Sequence, residues 1–425
     1  MKKSGFTLIE LLAVIAILAI ILVISIPKIL DVIETSKINT LKNTVKLIAD
    51  SAEKKYTENE AFLEEEEITC DSVSKLNKED YNKCTIIFDE NGIAKVSILG
   101  RGKFKGLKVI EATKTSAEVI KLEAPKYGIT AVEYINGLYE YYGDSYNLKI
   151  DNTKDQNIRY YGSNPNNYVI FNNELWRIIG VFGNNVKLIR KDSLGRFSWD
   201  SSESNVNGGW GVNEWSQSAL KNYLNTMYYG GTSVTCYGGD SNKTTTCPTN
   251  KLDNTAKSLI DYHTWNTGGA GGVEGTAKTD TLAFYNAERG NQTGKISNGG
   301  RYCNDTVERT TTWPGYIGLP YTTDYAYASS ENICETNMVK QDSSNAYICK
   351  NNNWMFKIIW YWTLSPGAFS GSSRDVWGVG SDGYVYNFYA ADGGAVFPAI
   401  YLKSNVIIES GTGTNTDPYI LKAGV

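Results

Sequence analysis

Met1-Lys2-Lys3-Ser4-Gly5-Phe6-Thr7-Leu8-Ile9-Glu10 opens the chain and runs into a stretch, Leu11 to Ile26, that is apolar but for Ser25 and is closed by Pro27-Lys28. Wound as a helix at about 1.5 Å per residue, Phe6 to Ile26 spans about 31 Å, the thickness of a bilayer's hydrocarbon. Lys2 and Lys3 sit where a cytoplasmic flank carries positive charge. No small-residue cleavage site follows Ile26, so the segment reads as an anchor rather than a removable secretory signal. Glu10 does not fit a plain anchor. A carboxylate inside an apolar helix costs about 2.5–3.5 kcal/mol on insertion scales and implies a specific partner.

The helical pattern continues beyond Pro27. Leu30, Ile33, Ile38, Leu41, Val45, Ile48 and Ala52 recur at mostly three- and four-residue steps, so an amphipathic helix is expected toward Tyr56, kinked rather than ended by the proline. The run Glu64–Glu67 reads as its solvated end. Lys-Lys-Ser-Gly followed by Phe-Thr-Leu-Ile-Glu-Leu-Leu resembles the processing site of type IV pilins and pseudopilins. The resemblance implies a leader, residues 1–5, cut after Gly5 by a prepilin peptidase, and methylation of the new terminus at Phe6. It also implies that Glu10 pairs with the terminal amine of a neighbouring subunit, supplying the missing counter-charge. The expected partners are therefore the peptidase, the membrane and other pilin subunits. Residues 6–26 would lie in the cytoplasmic (inner) membrane before assembly and in the filament core afterwards, with the rest of helix 6–56 against a globular head at the cell surface. A pseudopilin of a secretion or DNA-uptake machine shares this N-terminus and is the alternative reading.

Composition divides the remainder. Of 425 residues, 42 are Lys or Arg and 46 are Asp or Glu, a net charge of -4 that argues against a nucleic-acid partner. His263 is the only histidine, which removes two-histidine metal sites and most histidine-based catalytic templates. Residues 1–150 hold 20 of the Lys/Arg and 22 of the Asp/Glu, whereas all ten tryptophans lie between Trp176 and Trp377. A charged first part is joined to an aromatic, Gly/Asn/Ser-rich second part near residue 150.

A small head is expected over residues 57–125. Cys70 and Cys84 are suited to a disulfide in an exported protein. Cys84–Phe88 and Ile93–Leu99 flank Asp89-Glu90-Asn91-Gly92 as a hairpin. Lys103–Ile110 and Ser116–Leu122 read as further strands. Residues 126–157 read as a helix, Thr130–Tyr142, followed by a polar hinge over Gly143–Asn157.

From residue 158 to 425 the pattern is of short strands, glycine turns and aromatic anchors. Tyr168–Phe171, Glu174–Phe182 and Val186–Ile189 read as three successive strands, and Asn213–Tyr228 and Lys257–Trp265 as helices. Trp354–Leu364, Val376–Val379, Gly383–Phe388 and Ala395–Leu402 read as strands, with Gly411–Leu421 as a tail. Trp362-Thr363-Leu364-Ser365-Pro366, Asp382-Gly383-Tyr384-Val385 and Val396-Phe397-Pro398-Ala399-Ile400-Tyr401-Leu402 resemble the C-type lectin-like fold, as used by formylglycine-generating enzymes and the variable proteins of diversity-generating retroelements. The fold class expected is thus α+β, a long pilin helix with a small antiparallel-sheet head followed by a C-type lectin-like domain. Where the retroelement proteins usually have arginine in the last strand, this chain has Phe397. The calcium-dependent sugar motifs Glu-Pro-Asn and Gln-Pro-Asp are absent.

Cys236 with Cys247 and Cys334 with Cys349 are expected to close loops, leaving Cys303. A formylglycine-generating relative would need a reactive cysteine pair, for which only Cys303 and Cys334 are conceivable, so an exported enzyme is the weaker alternative and no cofactor or metal is expected. His263 reads as structural. The binding-type mixture of rigid aromatics and small polar side chains falls on Phe369, Ser370, Ser372, Ser373, Arg374, Asp375, Trp377, Asn387, Tyr389 and Asp392. The sequence therefore points to a pilin-like minor or tip subunit presenting a cell-adhesion domain for a protein or glycan ligand. The retroelement resemblance adds the expectation of a diversified version.

Overall fold

The computed structural model describes residues 8–62, 66–74, 76–201, 209–238, 243–270, 281–290, 310–336, 348–367 and 374–424. They form two compact units, residues 1–124 with 140–143, and 125–139 with 144–425.

The first unit is organised on one 55-residue helix, Leu8–Phe62, which carries Pro27 in its interior. Its first half is exposed along its length, with mean hydropathy 3.1 over the most apolar 18 residues. Leu41, Val45, Ile48, Ala49 and Ala52 form a buried stripe on its second half, at the spacing of one helix face. They pack on Ala94, Val96, Ile98, Phe104, Leu107 and Val109 of the head. The head is an antiparallel sheet of Tyr81–Phe88, Ala94–Gly100, Leu107–Ala112 and Val119–Lys121, in that spatial order. The expected hairpin is built by Asp89, whose Oδ1 accepts from the amides of Asn91 and Ile93, and by Gly92 at φ 72°. The Cys70–Cys84 disulfide ties the one-turn helix Cys70–Val73 to the first strand.

The second unit holds two larger sheets. One has Ile317–Gly318, Ala399–Tyr401, Asn185–Arg190, Glu174–Phe182, Tyr168–Phe171, Tyr419–Lys422 and Ile407–Ser410 in spatial order, with Leu148–Ile150 and Ile158–Tyr160 joining beside Glu174–Phe182. The other runs Arg196–Ser198, Gly393–Ala395, Tyr361–Pro366, Asp375–Val379, Val385–Tyr389. The chain passes between the sheets four times, and the first and last of these passages follow Arg190 and Ala395. These first and last passages bond to each other, the Arg190 amide to the Pro398 carbonyl and the Leu194 amide to the Val396 carbonyl.

Several expectations are revised here. The polar segment Gly143–Asn157 is ordered: it contains a 3-10 turn, Gly143–Tyr146, and strand Leu148–Ile150, with Asp151 and Asn157 buried. Asp151 is what orders it, because its carboxylate accepts from Thr153, Asn157 and Arg159. The second compact unit comprises residues 125–139 and 144–425. The expected helix Lys257–Trp265 ends early. Asn254–Leu259 is helical, Asp253 caps it through the Ala256 amide, and His263–Asn266 is a strand paired with Thr312–Gly315. Asn213–Tyr228 is three short turns, Trp215–Gln217, Ala219–Asn222 and a π-helical Tyr223–Tyr229. Trp354–Leu364 is a strand only from Tyr361, Ala395–Leu402 divides between the two sheets, and the tail ends in a paired strand.

At the heart of the unit is a buried charge network. Asp324 bridges Arg159 and Lys187, and Arg159 also holds Asp151, with all four side chains at most 1% exposed. Glu288, fully buried, accepts from the hydroxyls of Thr322, Thr323 and Ser365.

Candidate functional site

The residues singled out from sequence fall in two regions, the exposed start of the long helix and the outer edge of the five-stranded sheet. The helix start is accounted for by composition alone, since it exposes Leu8, Ile9, Leu11, Leu12 and the apolar residues after them. Such a surface is stable only inside lipid or against other helices. Glu10 lies in its first turn, where a carboxylate favours the positive end of the helix. Gly5 and Phe6 lie outside the described residues.

At the sheet edge, register sorts the expected binding residues. Asp375↔Tyr389 and Trp377↔Asn387 are directly opposed pairs on one face, whereas Val376↔Phe388 and Gly378↔Tyr386 lie on the other. Trp377 is core, 1% exposed, with its indole N–H donating to the Ala270 carbonyl and its ring edge-on to Phe284. Asp375 is also buried, and its Oδ1 accepts from Asn387 Nδ2 at 3.2 Å. These two expectations are therefore revised: the face that strand alternation gives them is the inner one. Asp392 is a turn residue whose Oδ2 accepts from the Tyr389 amide. Phe369, Ser370, Ser372 and Ser373 lie outside the described residues.

What remains at the rim is a compact aromatic and cationic group. The Arg374 guanidinium lies 4.7 Å from the centre of the Tyr389 ring, and Trp210 packs on the same ring at 4.5 Å. Arg374 Nε has no hydrogen-bond partner among the described residues, and exposed Asn387 lies on the neighbouring edge. Trp210 was not among the residues singled out by sequence. Its signal is the pair of flanking glycines, Gly209 and Gly211, the second at φ 77° and close enough to Ala390 and Ala391 to need the missing side chain. The backbone bond from the Ala391 amide to the Trp210 carbonyl then fixes Trp210 beside Tyr389.

Cys334 is bonded to Cys349, so no Cys303/Cys334 thiol pair forms, and Cys303 itself lies outside the described residues. Cys236 and Cys247 are bonded as expected. His263 stacks on Tyr401 at 3.7 Å with its Nδ1 3.1 Å from Asp261 Oδ2, and burial lowers its pKa. Among the described residues no group of three or more His, Cys, Asp or Glu is placed to hold a metal ion.

Comparison with known families finds the prokaryotic N-terminal methylation motif over residues 1–26. The chain carries a type IV pilin-like prepilin N-terminus. No curated protein and no solved structure matches the chain. In this pilin-like chain the motif implies processing by a prepilin peptidase and assembly with other pilins, and with the apolar helix it fits membrane anchoring followed by pilus assembly. Gly5, Phe6 and Glu10 all lie within the matched span.

Proposed function

We propose that this pilin-like protein is a minor or tip subunit whose second unit is an adhesin-type, C-type lectin-like binding domain displayed at the cell surface, and that it is not an enzyme. The observation that carries the reading is the rim of Trp210, Tyr389 and Arg374, rigid rings and a guanidinium held by backbone bonds at the edge of a sheet. Side chains of this kind supply contact area at small entropic cost. The size of the second unit supports a minor or tip position, since about 300 residues on every subunit would crowd a filament. The lectin-like reading rests on the strand segments around Trp362, Tyr384 and Pro398. Diversification by a retroelement is its furthest extension. It requires a near-copy of the coding region for residues 362–402 beside a reverse transcriptase, and a genome without one rules it out.

The test is a cell-adhesion assay with the triple variant Trp210→Ala, Tyr389→Ala and Arg374→Ala in the native host. Loss of adhesion with normal filament number and nearly unchanged Tm is expected. Adhesion at the wild-type level would overturn the rim, and immuno-electron microscopy finding the protein only in the envelope would favour the pseudopilin reading.

A further inference from the structure

Within the buried charge network one pair stands in unusual surroundings. Lys187, on strand Asn185–Arg190, and Asp324, in the short helix Thr322–Tyr327, meet at 2.5 Å with side chains 0% and 1% exposed. Asp324 Oδ2 is the hydrogen-bond acceptor of Lys187 Nζ among the described residues. Around that nitrogen lie the rings of Tyr321 at 4.0 Å, Tyr401 at 5.3 Å, Trp265 at 5.4 Å and Phe182 at 5.6 Å. Lys149 with Glu335 makes a useful contrast: it is partly open to solvent, and Lys149 also donates to the Ser329 carbonyl.

We infer that Lys187 and Asp324 condense in the mature protein, joining Nζ to Cγ as an intramolecular amide with loss of one water. The ion pair is the state before reaction. A nucleophile and an electrophile held in contact in a dry site gain the largest advantage that proximity offers. An ammonium proton passes to Oδ2, and the neutral Nζ attacks Cγ. Arg159 Nη1, which donates to Oδ1 at 2.8 Å, faces the negative charge that develops on that oxygen. A second proton moves from nitrogen to Oδ2, the Cγ–Oδ2 bond breaks, and water leaves. The amide keeps one N–H, so every atom is accounted for and no further reactant is needed.

The surroundings favour this outcome. Burial pushes the Lys187 pKa down to about 8, which brings the free amine within reach. Burial also raises the Asp324 pKa, but Lys187 and Arg159 outweigh it and keep the carboxylate ionised, which makes the reaction a slow maturation. Condensation removes two charges that burial disfavours, one of each sign. Arg159 is not stranded by it, because its Nε stays 2.6 Å from Asp151 Oδ2. The joined residues are 137 positions apart in sequence. A pull on the ends of the second unit would then pass through the amide, and the chain between the two residues would carry no load.

The test is tandem mass spectrometry of reduced, full-length protein from the native host, digested with trypsin. A branched peptide is expected in which the segment holding Lys187 is joined to the segment holding Asp324, lighter than their sum by one water, with no cleavage after Lys187. Lys187→Met should yield the Asp324 segment at its full mass. Only linear peptides from wild type, or loss of water at Asp324 that persists in Lys187→Met, would overturn the inference. The wild-type result decides even where the variant folds poorly, and neither result depends on the rim or on a ligand.

Discussion

Arg159 and Asp324 meet through an Nη1–Oδ1 contact of 2.8 Å with both side chains 1% exposed. Asp324 Oδ2 is 2.5 Å from Lys187 Nζ and also accepts from the Tyr321 amide. One carboxylate therefore serves two buried cations. Asp324→Ala would leave Lys187 without its carboxylate and Arg159 with Asp151 alone, and stranding buried charge in this way costs about 3–5 kcal/mol. Chemical denaturation of the second unit should show that loss. A change below about 1 kcal/mol would mean that water reaches the cations in the variant.

Glu288 gives a pH dependence of defined sign. Burial is the largest influence and raises its pKa above 4.5, against the pull of Arg289 and the three hydroxyls. The folded state therefore binds this proton more readily than the unfolded chain. Its contribution to stability is fully present below about 4.5 and is lost as pH rises through the raised folded value. Glu288→Gln should remove that slope and be at least as stable as wild type at pH 7, the difference shrinking toward pH 4.5. Thermal melts across this range that show parallel pH profiles would refute the assignment. At lower pH the opposite trend takes over. For Asp324, burial raises the pKa but Lys187 and Arg159 outweigh it and hold it below 3.8.

Three disulfides account for six of the seven cysteines. Thiol titration of denatured, unreduced protein should find one thiol per chain, assigned by peptide mapping to Cys303. Cys70→Ser should destabilise the head by about 3 kcal/mol, the entropy of a loop of this length. Three or more thiols in protein exported by its own host would contradict the pairing.

Mass spectrometry of native protein should find a chain beginning at N-methylated Phe6. Glu10→Leu should leave the fold of both units intact, because Glu10 lies far along the helix from the buried stripe Leu41–Ala52. It should sharply reduce incorporation into filaments. Wild-type incorporation would remove Glu10 from assembly.

The helix was legible because two local signals agree, the unbroken apolar run and the later three-and-four spacing from Leu41 to Ala52. The head hairpin was legible because Asp89 and Gly92 can form only a few turns. The order within Gly143–Asn157 is not legible in its sequence because it comes from Arg159 and Tyr285, the latter donating from far along the chain to Asp155 and accepting from Asn157. Polar composition does not reveal such partners. Trp377 and Asp375 read as surface from sequence because a Ser/Gly-rich neighbour hides which way a strand faces. Only the pairing of Trp377 with Asn387 sets that face. Trp210 meets Tyr389, and Arg196 meets Trp360, from separate segments, and no spacing in the sequence brings either pair together.

The last strand, Tyr419–Lys422, lies between Tyr168–Phe171 and Ile407–Ser410, and the Gly128 and Ala131 amides bond to the carbonyls of Ile408 and Val406. The beginning of the second unit is thus closed by its end. During synthesis the apolar N-terminal helix emerges first and is available to lipid while this sheet is still missing its interior strand. Completion must wait until Tyr419–Lys422 has been made. The N-terminal helix can therefore meet lipid before the sheet has the strand that joins Tyr168–Phe171 to Ile407–Ser410.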